Sequence, residues 1–221
     1  MNNAIEMVNV SVETRTNTLL KNISFNLQKG EICGIYGRNG AGKSMLIKTI
    51  CGLVSPTQGS IQVWGKAVGL NGKTATNTGI LIESPGLLPD NTAFENLFYL
   101  SCIANKRGNA DKENIRSTLS DLGINPNERK PVRKFSLGMR QKVALAIALF
   151  EKPDLLLLDE PTNNLDSQSI SFLHAYLKKI HEQYGTSILL ASHQEDDFNK
   201  LCSRVITIAV SYTHLTLPTK A

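Results

Sequence analysis

Aromatic residues are scarce in this chain, at 6% of 221 residues with a single tryptophan. The scarcity matters most at the one basic cluster, Arg129-Lys130-Pro131-Val132-Arg133-Lys134. Bases of a single-stranded nucleic acid need aromatic platforms to stack on, and none is interleaved there. The cluster reads as a solvated loop rather than a contact for anionic lipid or nucleic acid, and no nucleic-acid partner is expected. Long apolar runs are also missing: none approaches the roughly 20 residues that cross a bilayer. The N-terminus Met1-Asn2-Asn3-Ala4-Ile5-Glu6 lacks the basic-then-apolar pattern of a secretion signal. Both absences lead to the expectation of a cytoplasmic protein that meets a membrane only through a partner. Metal-ligand spacing is absent among Cys33, Cys51, Cys102 and Cys202, which read as reduced, small apolar residues. There is no internal repeat or low-complexity segment. What is left is ordinary globular composition, 41% hydrophobic and 19% charged with a net charge of +5. That length accommodates one large α/β domain, or a core with a small attached subdomain.

Against this plain background one segment stands out, Gly37-Arg38-Asn39-Gly40-Ala41-Gly42-Lys43-Ser44, a complete G-x-x-x-x-G-K-S phosphate loop. An apolar run, Glu31 to Tyr36, precedes it as a buried strand, and Ser44 to Ile50 follows as a helix. That strand–loop–helix setting is the context the motif requires. Glycines let several backbone N–H groups point at one phosphate chain, and the helix N-terminus adds the positive end of its dipole. Lys43 is placed to reach the β- and γ-phosphates, and the Ser44 hydroxyl to hold Mg²⁺. The chain is therefore expected to bind a nucleoside triphosphate.

Elsewhere the texture changes twice. Residues 1–30 carry two alternating stretches, Ile5 to Val12 and Ile23 to Leu27, which predict an antiparallel pair; Gly59–Gly65 and Thr78–Glu83 predict further strands. From about residue 84 the pattern turns helical. Thr92-Ala93-Phe94-Glu95 is a capping box, followed at helical spacing by Phe94, Leu97, Phe98, Leu100 and Ile103. Ile115, Leu119 and Leu122 predict a second helix stopped by Gly123, and a third spans about Leu137 to Phe150. Strands resume with Asp154–Glu160 and Ser187–His193, separated by a helix over about Ser167–Tyr184 that is expected to bury Ile170, Leu173, Leu177 and Ile180, with Gly185 as its C-cap. The fold class is thus α/β, a P-loop NTPase parallel-sheet core (1–83 and 151–209) with an N-terminal antiparallel β subdomain and a helical insert subdomain at about 84–150. In such sheets ligands gather at the carboxyl ends of the strands, where Tyr36, Glu83, Asp159, Glu160 and His193 all fall.

Four leucines ending in Asp159-Glu160 suit the second half of a nucleotide site: Asp159 for the Mg²⁺ shell, Glu160 to polarise a water towards the γ-phosphate. His193 ends the next strand, where a donor could reach the γ-phosphate and hold that water. Phe135-Ser136-Leu137-Gly138-Met139 opens a helix with Ser136 as N-cap, leaving a second set of open amides. Either this is an ordinary capped helix, or it serves the γ-phosphate held by another copy in a twofold head-to-tail dimer.

Taken in order, these motifs resemble the nucleotide-binding subunit of ATP-binding cassette (ABC) transporters over roughly residues 4–209: the loop Gly37–Ser44, the signature Phe135–Met139, the Asp159-Glu160 strand, the Asn164-Leu165-Asp166 loop and the switch residue His193. The resemblance implies ATP and Mg²⁺ as cofactors and Glu160 as catalytic base. It puts Asp166 at a dimer interface and Ser136 and Gly138 against the opposite ATP, with a second ATP-binding subunit and an integral-membrane permease as partners at the inner face of the plasma membrane. Three departures stand out. Leu137 and Met139 replace a glycine and the glutamine of the usual Leu-Ser-Gly-Gly-Gln signature. Glu83 occupies the place of the lid glutamine, putting a carboxylate beside the metal. No aromatic lies near Thr14-Arg15 to stack on adenine. The first two resemble the subfamily that exports bacitracin and lantibiotic-type peptides for self-protection; the alternative is a soluble, non-transport ABC ATPase of repair, translation or cofactor assembly. Finally, Val210–Thr219 reads as the translation of a transposase-adapter sequence, so 210–221 is set aside as an artefactual tail. The natural gene is expected to continue after Ala209 into the last strand and terminal helices that the resemblance implies.

Overall fold

A computed structural model of the chain describes residues 3–69, 74–82, 86–104 and 111–208. The alternating segments near the N-terminus form β1 (Asn3–Glu13) and β2 (Thr18–Gln28), which pair antiparallel; β1 also pairs antiparallel with β4 (Gln58–Val63), and β5 (Lys66–Ala67) completes a four-stranded sheet in the order β2-β1-β4-β5. The apolar runs form a second, five-stranded sheet, all parallel, in the order β6-β7-β8-β3-β9: β3 is Ile32–Tyr36, β6 Thr78–Leu81, β7 Leu155–Asp159, β8 Ser187–Ser192 and β9 Arg204–Thr207.

This second sheet is buried on both faces, which is why its strands read as continuous apolar runs rather than alternations. Along β7, Leu156 and Leu158 face one cluster while Leu155 and Leu157 face the other. On the first face lie α4 (Leu137–Leu149), α5 (Ser167–Tyr184) and α6 (Glu195–Leu201), with α2 (Ala93–Ala104) and α3 (Lys112–Asp121) packed beyond α4. On the second face Leu46, Ile47 and Ile50 of α1 (Lys43–Ile50) join the inner side of the antiparallel sheet. Truncating any of these fully buried leucines to alanine costs about 2–5 kcal/mol. Burial desolvates the Cys33 thiol and pushes its pKa up to about 12, so this strand cysteine behaves as an inert apolar side chain.

Local signals shape the helices. The capping box forms as its sequence demands: Thr92 N–H donates to Glu95 Oε2 (2.8 Å) and Glu95 N–H to Thr92 Oγ1 (3.2 Å). The helix α5 ends at Gly185, left-handed with φ 67°. Two expectations need correction, and two elements are new. Leu100 and Ile103 follow the helical spacing but face outward, Ile103 with 78% exposure, because α2 turns Ala93, Leu97 and, in part, Phe94 and Phe98 to the core. Ile170 is half-buried, the α5 core face being Leu173, His174, Leu177 and Ile180. And α6 and β9 have no counterpart in the sequence reading.

Gly79 sits where β6 runs under the C-terminal end of α4, and a Cβ there would run into the Ala148 carbonyl oxygen and the Pro153 ring. The Gly79→Ala protein is expected to lose about 2–3 kcal/mol of stability, read as a lower urea midpoint at unchanged slope. A midpoint equal to that of the native chain would mean the two elements are not packed this closely.

Candidate active site

The order of the parallel sheet does the first part of the assembly. Strand β8 lies between β7 and β3, so the chain segments leaving these three carboxyl ends are neighbours. From β3 the backbone turns through Gly37–Gly42 into α1. Gly40 (φ 81°) and Gly42 (φ 97°) adopt left-handed conformations that side chains resist, and Gly42 caps α1 without any side-chain hydrogen bond. The first-turn amides of α1, including those of Lys43 and Ser44, have no partner within the helix and are available to an anion.

Lys43 folds back over this loop. Its side chain is 6% exposed, and Nζ donates to the Gly37 carbonyl (2.7 Å) and, at longer range, to that of Arg38 (3.4 Å). The same ammonium lies 3.1 Å from Glu160 Oε1. Glu160 follows directly on β7 with φ 48°, a left-handed backbone for a non-glycine residue, and its N–H donates to the Ala191 carbonyl of β8 (2.8 Å). Its second oxygen, Oε2, is 2.8 Å from His193 Nδ1, just past β8. Lys43, Glu160 and His193 therefore form one continuous ammonium–carboxylate–imidazole chain in which only the imidazole is substantially exposed, at 42%. Asp159, the last residue of β7, is buried beside it, and Ser44 is half-buried in the first turn of α1. Among the described residues no three His, Cys, Asp or Glu side chains converge as a metal cage. One hydroxyl and one carboxylate suit instead a hard cation that takes its other ligands from phosphate and water.

The other sequence candidates make their contacts elsewhere. The Ser136 hydroxyl accepts from Met139 N–H (3.2 Å) and caps α4. A Cβ on Gly138 would stand 3.1 Å from the Asn164 carbonyl oxygen of the same chain. Asp166 caps α5, accepting from Ser169 N–H (2.8 Å) and Oγ (3.0 Å); the backbone bond, then the hydroxyl, hold its carboxyl below the usual range. Arg38, Asn39 and Ala41 lie in the loop itself, closed by Ala41 N–H to Arg38 O (3.1 Å). Glu83 and the tail 210–221 lie outside the described residues.

Beneath this site lies a polar cluster that the sequence reading missed. The Asp197 carboxylate, on α6, accepts from Thr162 Oγ1 (2.8 Å) and Ser192 Oγ (2.6 Å) at Oδ2, and faces His174 Nε2 (2.9 Å) at Oδ1. Burial works to raise the pKa of Asp197, but the hydrogen bonds from His174, Ser192 and Thr162 more than offset it and hold the group below its ordinary value. In the sequence Asp197 is one of three consecutive acids, Glu195-Asp196-Asp197, and only its helical phase, shared with the apolar Phe198 side of α6, marks it as the buried one.

An open phosphate-binding turn, a buried ammonium and a carboxylate oriented by an imidazole are the parts needed to bind a triphosphate and activate water against it. Comparison with known proteins agrees. A family model described as ABC transporter matches residues 20–163. YybJ of Bacillus subtilis (strain 168), an uncharacterized ABC transporter ATP-binding protein, is 39% identical over 215 residues, covering 97% of this chain and 95% of that protein. The bacitracin transport ATP-binding protein BcrA of Enterococcus faecalis is 35% identical over 194 residues, 87% of this chain, which spans 62% of BcrA. Among solved structures, the ATP-binding cassette MJ0796, in a dimeric post-hydrolysis state bound to ADP and Pi, superimposes with a TM-score of 0.83 at 24% identity, covering 96% of this chain and 98% of that one.

The depressed carboxyl of Asp197 makes a pH prediction. Its stabilising contribution is fully present above the unfolded-state value of about 3.9 and is lost as the pH falls through the lower folded value. The Tm gap between the native chain and the Asp197→Asn protein should be wide at about pH 5 and narrow towards about pH 3. A gap that widens in acid would contradict it.

Proposed function

The chain belongs to the ABC transporter family and is an ATP-binding, ATP-hydrolysing subunit; on that premise we propose that it powers export of an antimicrobial peptide or drug through a separate membrane permease, as one half of a head-to-tail dimer. The observation that carries the hydrolytic roles is the Lys43–Glu160–His193 chain. Lys43 exchanges its contact with Glu160 for the β- and γ-phosphates, whose negative charge exceeds that of one carboxylate. Glu160, released on that side and still oriented by His193, accepts the proton of the attacking water. The new bond forms from water oxygen to γ-phosphorus, and the bond to the bridging oxygen breaks with its electron pair leaving on ADP. The Ser44 hydroxyl and the Asp159 carboxylate are the residues that would hold Mg²⁺, which supplies charge neutralisation at the phosphates when bound.

Ser136 and Gly138, at the start of α4, are assigned to the triphosphate bound by the second subunit, and Asp166 to the contact between subunits. The dimeric state of MJ0796 is consistent with that arrangement. No helix among the described residues is long and apolar enough to cross a membrane, and we assign the conduit to a permease that holds this chain at the cytoplasmic face. Bacitracin transport by BcrA supports a peptide or drug as cargo.

The Glu160→Gln protein is expected to bind a fluorescent ATP analogue as the native chain does and to lose about 10²–10⁴-fold in turnover, whereas Lys43→Ala abolishes binding. Co-expressed with a candidate permease in a bacitracin-sensitive bacterium, the native chain should raise the inhibitory concentration and Glu160→Gln should not. Equal protection by both proteins would overturn the transport reading.

A further inference from the structure

We propose that Asp197 is a positioning residue for hydrolysis, its carboxylate tying the loop after Glu160 to the strand end before His193 and so holding base and imidazole in register. The proposal rests on the assignment of Glu160 and His193 to the hydrolytic step.

Four side chains from four separate places in the chain converge here, and all are buried: Thr162, His174, Ser192 and Asp197, the last only 1% exposed. Thr162 lies two residues beyond Glu160, and Ser192 immediately precedes His193. Both donate their hydroxyl protons to the same oxygen, Asp197 Oδ2, at 2.8 and 2.6 Å. Ser192 Oγ also accepts from Gln194 N–H (3.0 Å), so His193 is gripped on both flanks. Oδ1 is spent on His174 Nε2 at 2.9 Å, which anchors the carboxylate to α5. Each Asp197 oxygen thus has a partner, as a buried carboxylate requires.

What the cluster braces is informative. The segment leaving β7 and the end of β8 with the residues that follow it are cross-linked three times in succession. The backbone bond from Glu160 N–H to Ala191 O is the first rung, the Glu160–His193 side-chain contact the second, and Thr162–Asp197–Ser192 the third. Glu160 needs such bracing, because its left-handed backbone persists only where the surroundings over-determine it. Without the third rung the two segments keep the backbone bond and the Glu160–His193 contact itself, and that contact loses the brace that fixes its distance. A displacement of about 1 Å at a reacting group is worth up to roughly 10²-fold in rate. A purely structural cluster would instead set stability and leave the chemistry of each folded molecule alone.

The test uses the 221-residue chain with ATP and Mg²⁺, and compares Asp197→Asn, Thr162→Val and Thr162→Ser with the native chain and with Glu160→Gln. Valine keeps the shape of threonine without its hydroxyl, and serine keeps the hydroxyl. The expected result is a fall of about 10- to 100-fold in kcat for Asp197→Asn and Thr162→Val with KM for ATP within about threefold, and recovery to within about threefold of native kcat for Thr162→Ser. If Asp197→Asn does not fold, Thr162→Val and Thr162→Ser carry the comparison by themselves. The proposal is overturned if Thr162→Val retains native kcat, if Thr162→Ser falls with it, or if kcat drops only in proportion to the folded fraction. Loss of turnover in Glu160→Gln alongside any of these leaves the hydrolytic assignment standing. Native turnover in Glu160→Gln would remove that assignment and the proposal with it.

Discussion

A buried ammonium cannot stand alone, and the arrangement of this site follows from how Lys43 is compensated. Glu160 supplies the charge from 3.1 Å, and two loop carbonyls take its other protons. For that carboxylate to be in reach, β7 and β3 must end side by side with a single strand between them, which the order β6-β7-β8-β3-β9 provides. The intervening strand, β8, delivers His193 to the other Glu160 oxygen. Removing a partner from a buried pair costs about 3–5 kcal/mol, so the sheet order and the ion pair enforce one another. The helices over the first sheet face serve the same end, since α6 brings Asp197 under the loops that carry the pair.

Legibility in the sequence followed the range of the interaction concerned. Short-range devices were readable because their parts lie within a few residues. The phosphate loop between strand and helix, the Thr92–Glu95 box, the Ser136 cap and the α5 terminus at Gly185 all formed as their local chemistry requires. The continuous leucines of β7 likewise announced a strand buried on both faces. Long-range partnerships were not readable. Nothing local marks Thr162, Ser192, His174 and Asp197 as one cluster, since each is by itself an ordinary polar residue near a loop or helix. Helix α6 is a short acidic segment whose buried face is decided by the sheet beneath it. Spacing overstated the core at Leu100 and Ile103 for the same reason: it gives the face of a helix but not how much of that face a neighbour covers.

Two kinds of expense meet beside the carboxyl ends of β7 and β8, where the candidate chemistry lies. One is the left-handed backbone of Glu160, which costs about 1–3 kcal/mol. The other is the burial of a carboxylate at Asp197, offset by its three donors. A fold selected for stability alone would be better served by apolar side chains of similar volume, which often replace a buried ionic cluster without loss. Strain and buried charge next to the residues assigned to hydrolysis are what a preorganised site demands, because groups fixed before the reaction need no reorganisation during it.

The Lys43–Glu160 pair also orders events in the proposed cycle. While the two side chains face each other, the ammonium and one carboxylate oxygen are engaged, and the other oxygen faces His193. A triphosphate draws Lys43 away because it offers more negative charge and the open amides of the α1 turn as well. The same movement frees the Glu160 oxygen that faced the ammonium. In the proposed cycle Glu160 gains a free oxygen as base at the step in which phosphate takes over Lys43. The ion pair that makes it possible to bury Lys43 is thus the contact whose exchange for phosphate readies the site for hydrolysis.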